Sequence, residues 1–282
     1  MKVGIIAKRR LEAADILREF LSYLRKRKIE TFLDRETAAI VGESSPYQMS
    51  DIPEKVDLIT VLGGDGTLLS VARLIAGRDV PIFGINLGGL GFLTEVTLEE
   101  LYPTFEKVIE GKVNYDERIM LTASVMRQGE EISHYSVLND VVINRSALAK
   151  IIDLAVYIDG QHIANFKADG LIVSTPTGST AYNLAAGGPI VHPNMHSITL
   201  TPICPHILTN RPVVVMDESR IEVVLKSINT EVHLTLDGQV GFSLQGEDVI
   251  RIVKAGYRIR LITVPGKNYF DILRTKLKWT ER

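Results

Sequence analysis

The sequence predicts an α/β N-terminal domain, a doubly wound parallel sheet of Rossmann-like type, followed by a predominantly β C-terminal domain. Three observations carry this reading. Over the first third, short apolar strands alternate with amphipathic helices, the pattern of a parallel sheet covered on both faces. After Gly111 the texture changes to strand after strand. The length of 282 residues accommodates two ordinary domains. The division expected is an α/β domain over 1–114 and a β-rich domain over 115–264, with the tail 265–282 docking back on the first domain.

In order along the chain, KVGIIAK (2–8) is the first strand. It leads to a helix over Leu11–Arg27, in which Ile16, Leu17, Phe20, Leu21 and Leu24 recur at helical spacing. A short strand ETFLD, the strand DLITVL, a helix starting near Gly66, the strand PIFGIN and the helix TLEELYPTFEKVIEG follow. The segment Arg35–Pro53 shows no period and reads as a surface excursion. In the second domain the strands are ERIMLTASVMR, HYSVLNDVVINR, IIDLAVYIDG, QHIANFK, GLIVST, IEVVLK, VHLTLDG, DVIRIVKA and YRIRLITV. IDGQ at 158–161 has the Asp-Gly signature of a hairpin turn. One helix interrupts the run, opening near Gly178 in TPTGSTAYNLAAGG, and the tail YFDILRTKLKWTER suits a terminal helix.

Hydrophobic residues make up 45% of the chain and charged residues 23%, the mixture of a globular protein rather than a disordered one. The formal net charge of -2 provides no positive field for nucleic acid or anionic lipid, so the expected partners are small molecules, with no nucleic acid and no membrane. The N-terminus is charged within a few residues and no apolar stretch reaches about 18 residues, which points to a cytoplasmic protein. The single cysteine, Cys204, lies in the apolar run TLTPICP and is expected to be a buried, inert thiol. His192 and His196 flank Pro193, against the helical spacing of a zinc site, and no metal-ligating residues are expected.

Two stretches carry chemistry. In LGGDGTLLSVARLIAG a strand runs into glycines at the start of a helix, where bare backbone amides and the positive helix end suit phosphate. Neither a Gly-Lys-Thr P-loop nor a Gly-x-Gly-x-x-Gly fingerprint is present, here or in GINLGGLGF. A carboxylate in such a cradle, Asp65, fits a group that accepts a proton from an attacking hydroxyl or holds a phosphate-neutralising Mg²⁺. The bland reading makes Asp65 a cap of the strand-to-helix turn. The second stretch, ADGLIVSTPTGSTAYNLAAGG (168–188), offers short hydroxyl donors, exposed amides around Gly178, and Tyr182 as a face or hydroxyl for a base or ribose. Read blandly, it is a polar loop capping a helix.

GGDGT, GGLGFLT, VLNDVVI, DGLIVSTPTGSTAYNLAAGGP, PHILTNRPVVV, LTLDGQ and ILRTKLKW, in this order over nearly the whole chain, resemble the NAD kinases. GGDGT alone is shared with lipid kinases and, loosely, phosphofructokinases; the long DGLIVSTPTGSTAY run is specific. The resemblance implies transfer of the γ-phosphoryl group of ATP to the 2′-hydroxyl of the adenosine ribose of NAD, with Mg²⁺ or another divalent cation accompanying ATP. It makes Asp65 the proton acceptor, with Gly63, Gly64 and Gly66 holding phosphates through their amides.

The resemblance further implies that Asn139 and Asp140, the aspartate version of the family's Asn-Glu or Asn-Asp pair, bind the dinucleotide. Adjacent residues of a strand point to opposite faces, so a turn or bulge is expected there. Asp169, Thr180, Ala181, Tyr182, Asn183, Leu184 and Ala185 match the family's dinucleotide-binding run. Phe92 packs near adenine in this reading, against a plain core phenylalanine. Lys150 and Lys167 neutralise pyrophosphate or a donor phosphate, against solvated surface lysines. Gln239 in DGQ matches a binding position, although Asp237-Gly238 also reads as a simple hairpin turn. Family members are homo-oligomers, dimers or tetramers, and the same is expected here. A lipid kinase sharing GGDGT would lack STPTGSTAY, and a non-catalytic NAD(P)-binding sensor would lose the base; a dehydrogenase is disfavoured by the missing fingerprint.

Overall fold

The computed structural model describes residues 1–8, 13–75, 77–147, 149–207, 209–228, 230–263 and 266–279. The expected helix start at Leu11 and both ends of the tail therefore lie outside the described residues. The chain divides into two units, Met1–Glu117 with Ile259–Arg282, and Arg118–Arg258.

The first unit contains, in order, β1 (Lys2–Ala7), α1 (Ala13–Lys26), β2 (Glu30–Leu33), α2 (Arg35–Ile40), β3 (Leu58–Leu62), α3 (Asp65–Ile75), β4 (Ile82–Ile85) and α4 (Leu101–Ile109). Its strands are parallel, in the order β2-β1-β3-β4. All five residues of β3, LITVL, are buried, as a parallel strand covered on both faces requires. Helix α1 lays Leu17, Phe20, Leu21 and Leu24 onto this sheet, in one apolar cluster with Val3, Ile5 and Leu62. The stretch read as a surface excursion in fact holds α2, started by Asp34, whose Oδ1 accepts from the Thr37 amide at 3.1 Å. Six residues of helix are too few to display a period.

The second unit continues with β5 (Asn114–Arg127), β6 (Glu130–Val137), β7 (Asp140–Arg145), β8 (Ile152–Ile158), β9 (Gln161–Ala168), β10 (Gly170–Ser174), α5 (Tyr182–Ala185), β11 (Ser197–Ile203), β12 (Val213–Met216), β13 (Ile221–Leu225), β14 (Val232–Leu236), β15 (Val240–Leu244) and β16 (Val249–Thr263). The opening residues of β5, up to Glu117, and the closing residues of β16, from Ile259, belong to the first unit, as does α6 (Tyr269–Leu277), opened by an Asn268/Asp271 capping box. In the second unit one antiparallel sheet has the order β12-β11-β10-β7-β14-β15, and β16-β13-β8-β9 are successive neighbours in the other sheet, a ten-stranded one in which β5 pairs with β16 and β6. Val141, Ile143, Leu171 and Val173 of the first meet Leu154, Val156, Val223 and Ile250 of the second in one core.

Four sequence readings change here. HYSVLNDVVINR is two strands, because the ladder breaks at Leu138–Asn139. DVIRIVKA and YRIRLITV are one strand, β16. β11, β12 and β15 are additional strands. The helix expected near Gly178 is a 3₁₀ turn, Thr177–Thr180, followed by the single turn α5.

Candidate functional site

In the first unit, β3 ends at Leu62 and the Gly63 amide donates to the Ile85 carbonyl at 2.9 Å. A Cβ on Gly63 would lie 2.7 Å from Thr67 Oγ1, so a larger residue requires Thr67 to shift, whereas around Gly64 there is open space. The Gly64 carbonyl accepts from the amides of Thr67 and Leu68 and so opens α3. This is a strand-to-helix turn of nearly bare backbone.

Asp65 is the first residue of α3, yet its carboxylate turns to the loop that follows β4. Oδ1 accepts from the amides of Leu93 and Thr94 and from Thr94 Oγ1, each at 3.1 Å; Oδ2 accepts from the Phe92 amide at 2.9 Å. The loop reaches it only because residue 91 is glycine: a Cβ there would overlap Asp65 Oδ1 and Thr94 Oγ1. Thr94 Oγ1 is itself fixed by Asn86 Nδ2 at 2.8 Å. The half-buried Phe92 ring carries Lys276 Nζ of α6 at 5.7 Å from its centroid. Asp65 is thus a clamp on a distant loop rather than a helix cap, with spare acceptor capacity concentrated at Oδ2.

In the second unit, the row Asp140, Val142 and Asn144 along one face of β7 forms the wall of a cavity of about 360 Å³. Thr235 and Asp237 on or beside β14, and Ala181 and Tyr182 at α5, complete it. The bend expected at Asn139–Asp140 is present: Asn139 lies before β7 and Asp140 begins it. Gly178 packs so tightly on this bend that a Cβ would overlap the Asn139 carbonyl oxygen. Asn139 Oδ1 and Asn144 Oδ1 are both buried without a hydrogen-bond partner. Asp140 is 4% exposed. Burial, and secondly the charge of Asp237, push its carboxyl up to about 7. Tyr182, by contrast, is 46% exposed.

Asn144 and Tyr182 also line a smaller cavity of about 190 Å³ with Arg145 and Asp169. There Arg145 Nε donates to Asp169 Oδ1 at 2.6 Å, and Arg145 Nη1 donates to the carbonyls of Ser146, Ala147 and Ala149. The two cavities therefore gather Asn139, Asp140, Asp169, Ala181 and Tyr182 from the sequence-derived set. Asn183 instead sits wholly inside, its amide nitrogen donating to the carbonyls of Ser179 and Pro189 and its Oδ1 accepting from Thr201 Oγ1. Thr180 Oγ1 donates to the Thr177 carbonyl at 3.4 Å, Leu184 is half-buried and Ala185 exposed. Exposed Lys167 lines a different cavity with His206, while Lys150 and Gln239 are exposed, Gln239 in the turn after β14.

Sequence reasoning missed Asn144, Arg145 and Asp237 as site-shaping residues. Alternation along β7 carried the signal for Asn144, which shares a face with Asp140. Cys204 is exposed rather than buried, because the chain turns left-handed there (φ 45°) at the end of β11. Among the described residues, no three His, Cys, Asp or Glu side chains are grouped to hold a metal ion, and no helix is long and apolar enough to cross a membrane.

Comparison with known proteins matches residues 3–113 to the family described as ATP-NAD kinase N-terminal domain and residues 138–264 to ATP-NAD kinase C-terminal domain. The chain is 52% identical over 283 residues to an NAD kinase of Syntrophotalea carbinolica, covering all of this chain and 99% of the relative. It is 51% identical to an NAD kinase of Geotalea daltonii, with the same coverage. Among solved structures, yeast NADH kinase complexed with NADH superposes with a TM-score of 0.92 at 26% identity, covering 100% of this chain and 89% of that one. An NAD kinase from Archaeoglobus fulgidus in complex with ATP gives a TM-score of 0.77, also at 26% identity, with 99% of each chain covered.

Proposed function

This chain belongs to the NAD kinase family and phosphorylates NAD, and on that premise we propose that the γ-phosphoryl group of ATP goes to the 2′-hydroxyl of the adenosine ribose with Asp65 as the proton acceptor. The observation that carries this reading is the posture of Asp65. Four donors on residues 92–94 fix its carboxylate, and Oδ2, engaged by one amide alone, keeps a lone pair for a substrate hydroxyl. A base already held in one orientation loses little freedom when substrate arrives. As the hydroxyl proton passes to Oδ2, the ribose oxygen bonds to the γ-phosphorus. The bond from that phosphorus to the bridging oxygen breaks, and ADP leaves with the electron pair.

Gly63, Gly64 and Gly66 hold the phosphates in this proposal, through the amides of a turn where side chains do not intervene. Mg²⁺ or another divalent cation supplies charge neutralisation on the phosphate oxygens when bound. The residues fit an ion that travels with ATP: the turn offers a single carboxylate, too few ligands for a protein-only cage.

NAD is assigned to the β7–α5 cavities. The buried, partnerless Asn139 Oδ1 costs about 1–3 kcal/mol until a donor meets it, and ligand N–H or O–H groups are the natural donors. Asp140 and Asp169 suit ribose hydroxyls or an amino group, Tyr182 a base face, and the main chain of Thr180–Ala185 the remaining polar atoms. Since the Asn183 side chain is committed internally, its contribution is through its backbone. Phe92 is placed near adenine, and Lys150, Lys167 and Gln239 at phosphate or ribose groups. A cytoplasmic setting and a dimer or tetramer belong to the same proposal. The exposed, unbridged Cys204 suits a reducing compartment, and edge strand β12 exposes Val213, Val214 and Met216 to a second copy.

Incubating the pure protein with NAD, ATP and Mg²⁺ and assaying the product tests the assignment. Phosphate on the adenosine 2′-oxygen is expected; product phosphorylated at another hydroxyl overturns it.

A further inference from the structure

Three consecutive peptide N–H groups, those of Leu138, Asn139 and Asp140, converge on one carboxylate. Asp237 Oδ2 accepts from Leu138 at 3.1 Å, and Asp237 Oδ1 accepts from Asn139 at 2.8 Å and from Asp140 at 3.2 Å. A concave run of amides of this kind is an anion site, and here the anion is a side chain of the same protein. Asp237 reaches it from a left-handed backbone, φ 50°, followed by Gly238 at φ 64°, in the three-residue hairpin loop Asp237–Gln239 between β14 and β15. The opposite side of the bend is gripped as well. Thr175 Oγ1 donates to the Leu138 carbonyl at 2.6 Å and the Thr175 amide to the Asn139 carbonyl at 2.9 Å. The backbone groups of the bend thus find partners outside the usual ladder, and those partners set where the Asn139 and Asp140 side chains point.

We propose that Asp237, whose carboxylate accepts from the three amides of the bend, is a positioning residue for the dinucleotide: its carboxylate folds the 138–140 bend that presents Asn139 and Asp140 to the cavity. The proposal rests on the reading of that cavity as the NAD site. The charge of Asp237 has a second consequence. Asp140 lies opposite it in the β7–β14 pairing and titrates near neutrality, raised by burial and by that charge. Among the described residues lining the cavity, the titratable groups beside Asp140 are Asp237 and Tyr182; Ser174, its ladder partner on β10, is neutral. A carboxyl that is part protonated at neutral pH offers a ribose hydroxyl both an O–H donor and an acceptor.

The test compares wild type with Asp237→Asn, which keeps the shape, removes the charge and sets an NH₂ against a peptide N–H. NAD affinity is measured by calorimetry across pH, and kcat with both KM values by steady-state assay. A loss of NAD affinity of about tenfold is expected, the size of one charge-assisted hydrogen bond, with the ATP KM altered less than about twofold. The inflection in NAD affinity near neutral pH should also move to lower pH, because the neighbouring like charge is gone. Unchanged NAD affinity with an unmoved inflection overturns the proposal. So does a uniform rise of both KM values with a lowered Tm, the mark of a merely structural residue. If the asparagine variant does not fold, Asp237→Glu carries the same test: the longer arm misplaces the carboxylate, NAD affinity falls while the ATP KM holds, and unchanged affinity overturns the role. Wild type that fails to bind NAD at all overturns the reading of the cavity itself, a different result from wild-type binding that the variant retains.

Discussion

Two carboxylates, one in each unit, live in opposite surroundings. Asp65 is met by three amides and a hydroxyl from residues 92–94, and its orientation is fixed by donors. Asp140 is buried beside a second carboxylate, Asp237, which has taken the three amides of the bend for itself, Asp140's own included. Its carboxyl is accordingly pushed up to about 7. The same side chain is therefore placed in two ways: in the proposed reading a base is made by fixing its direction, and a proton-sharing hydrogen-bonding group is made by withholding donors and water.

The largest effect expected from breaking this contrast is at Asp65. Asp65→Asn should lower kcat by about 10²–10⁴, the usual contribution of a general base. NAD affinity, measured by calorimetry, should change little. The variant's NH₂ also faces a backbone amide donor, so some loss of Tm is expected from the loosened 92–94 loop. Near-full turnover in a folded Asn variant would leave Asp65 as a loop clamp alone.

That clamp shows what the sequence could and could not disclose. The LGGDGT turn was legible because a strand, glycines and a helix start are local features. The partner of the Asp65 carboxylate was not, since it lies 27 to 29 residues on and is fixed by tertiary approach through Gly91. The break inside HYSVLNDVVINR was hidden for a related reason: the side chain that satisfies it comes from Asp237, 97 residues beyond Asp140. Alternation called for a bend at Asn139–Asp140, and the bend is there. Strand β11 escaped because prolines 202 and 205 sit in or beside SITLTPI, and proline ordinarily argues against a central strand. Cys204 was misplaced because an apolar neighbourhood in sequence says nothing of the left-handed residue that turns it outward.

At Asp140 the contrast is sharpened by pH. Its carboxyl titrates at about 7 folded against 3.8 as the ordinary value, so between these pH values the folded state holds a proton that the unfolded state has lost. Stability from this group is therefore fully present below about pH 4 and is lost as pH rises through about 7, by roughly 4 kcal/mol in all. Asp140→Asn, uncharged in both states, should remove that slope. Tm measured from about pH 5 to 8 should fall in wild type relative to the variant. Parallel curves would mean that Asp140 is ionised throughout.

A smaller effect tests the approach that lets Asp65 be clamped. In Gly91→Ala the new methyl overlaps Asp65 Oδ1 and Thr94 Oγ1, so the carboxylate or the loop must shift. The cost of such overpacking is about 1–3 kcal/mol in stability. Turnover should fall about ten- to a hundredfold with the NAD KM little altered, because misplacing a base by a fraction of its reach is felt in the chemical step. A rise confined to the NAD KM would detach the loop from catalysis.

The smallest effect is expected at Tyr182, which lies on the rim of the cavity beside Asp140 and whose ring is the most solvent-accessible of the sequence-derived aromatic contacts. An aromatic ring stacked on a base is worth about 1–3 kcal/mol by alanine substitution, and partial exposure places this one near the lower end. Tyr182→Ala should weaken NAD binding about tenfold while Tm stays nearly constant, since a half-exposed ring contributes little to the core. The Asp140 inflection should persist in this variant, because Asp237 and the burial of the bend remain. A large fall in Tm with unchanged NAD affinity would instead make Tyr182 a structural lid on the β7 wall, and the base-stacking role would have to move to another residue of the cavity.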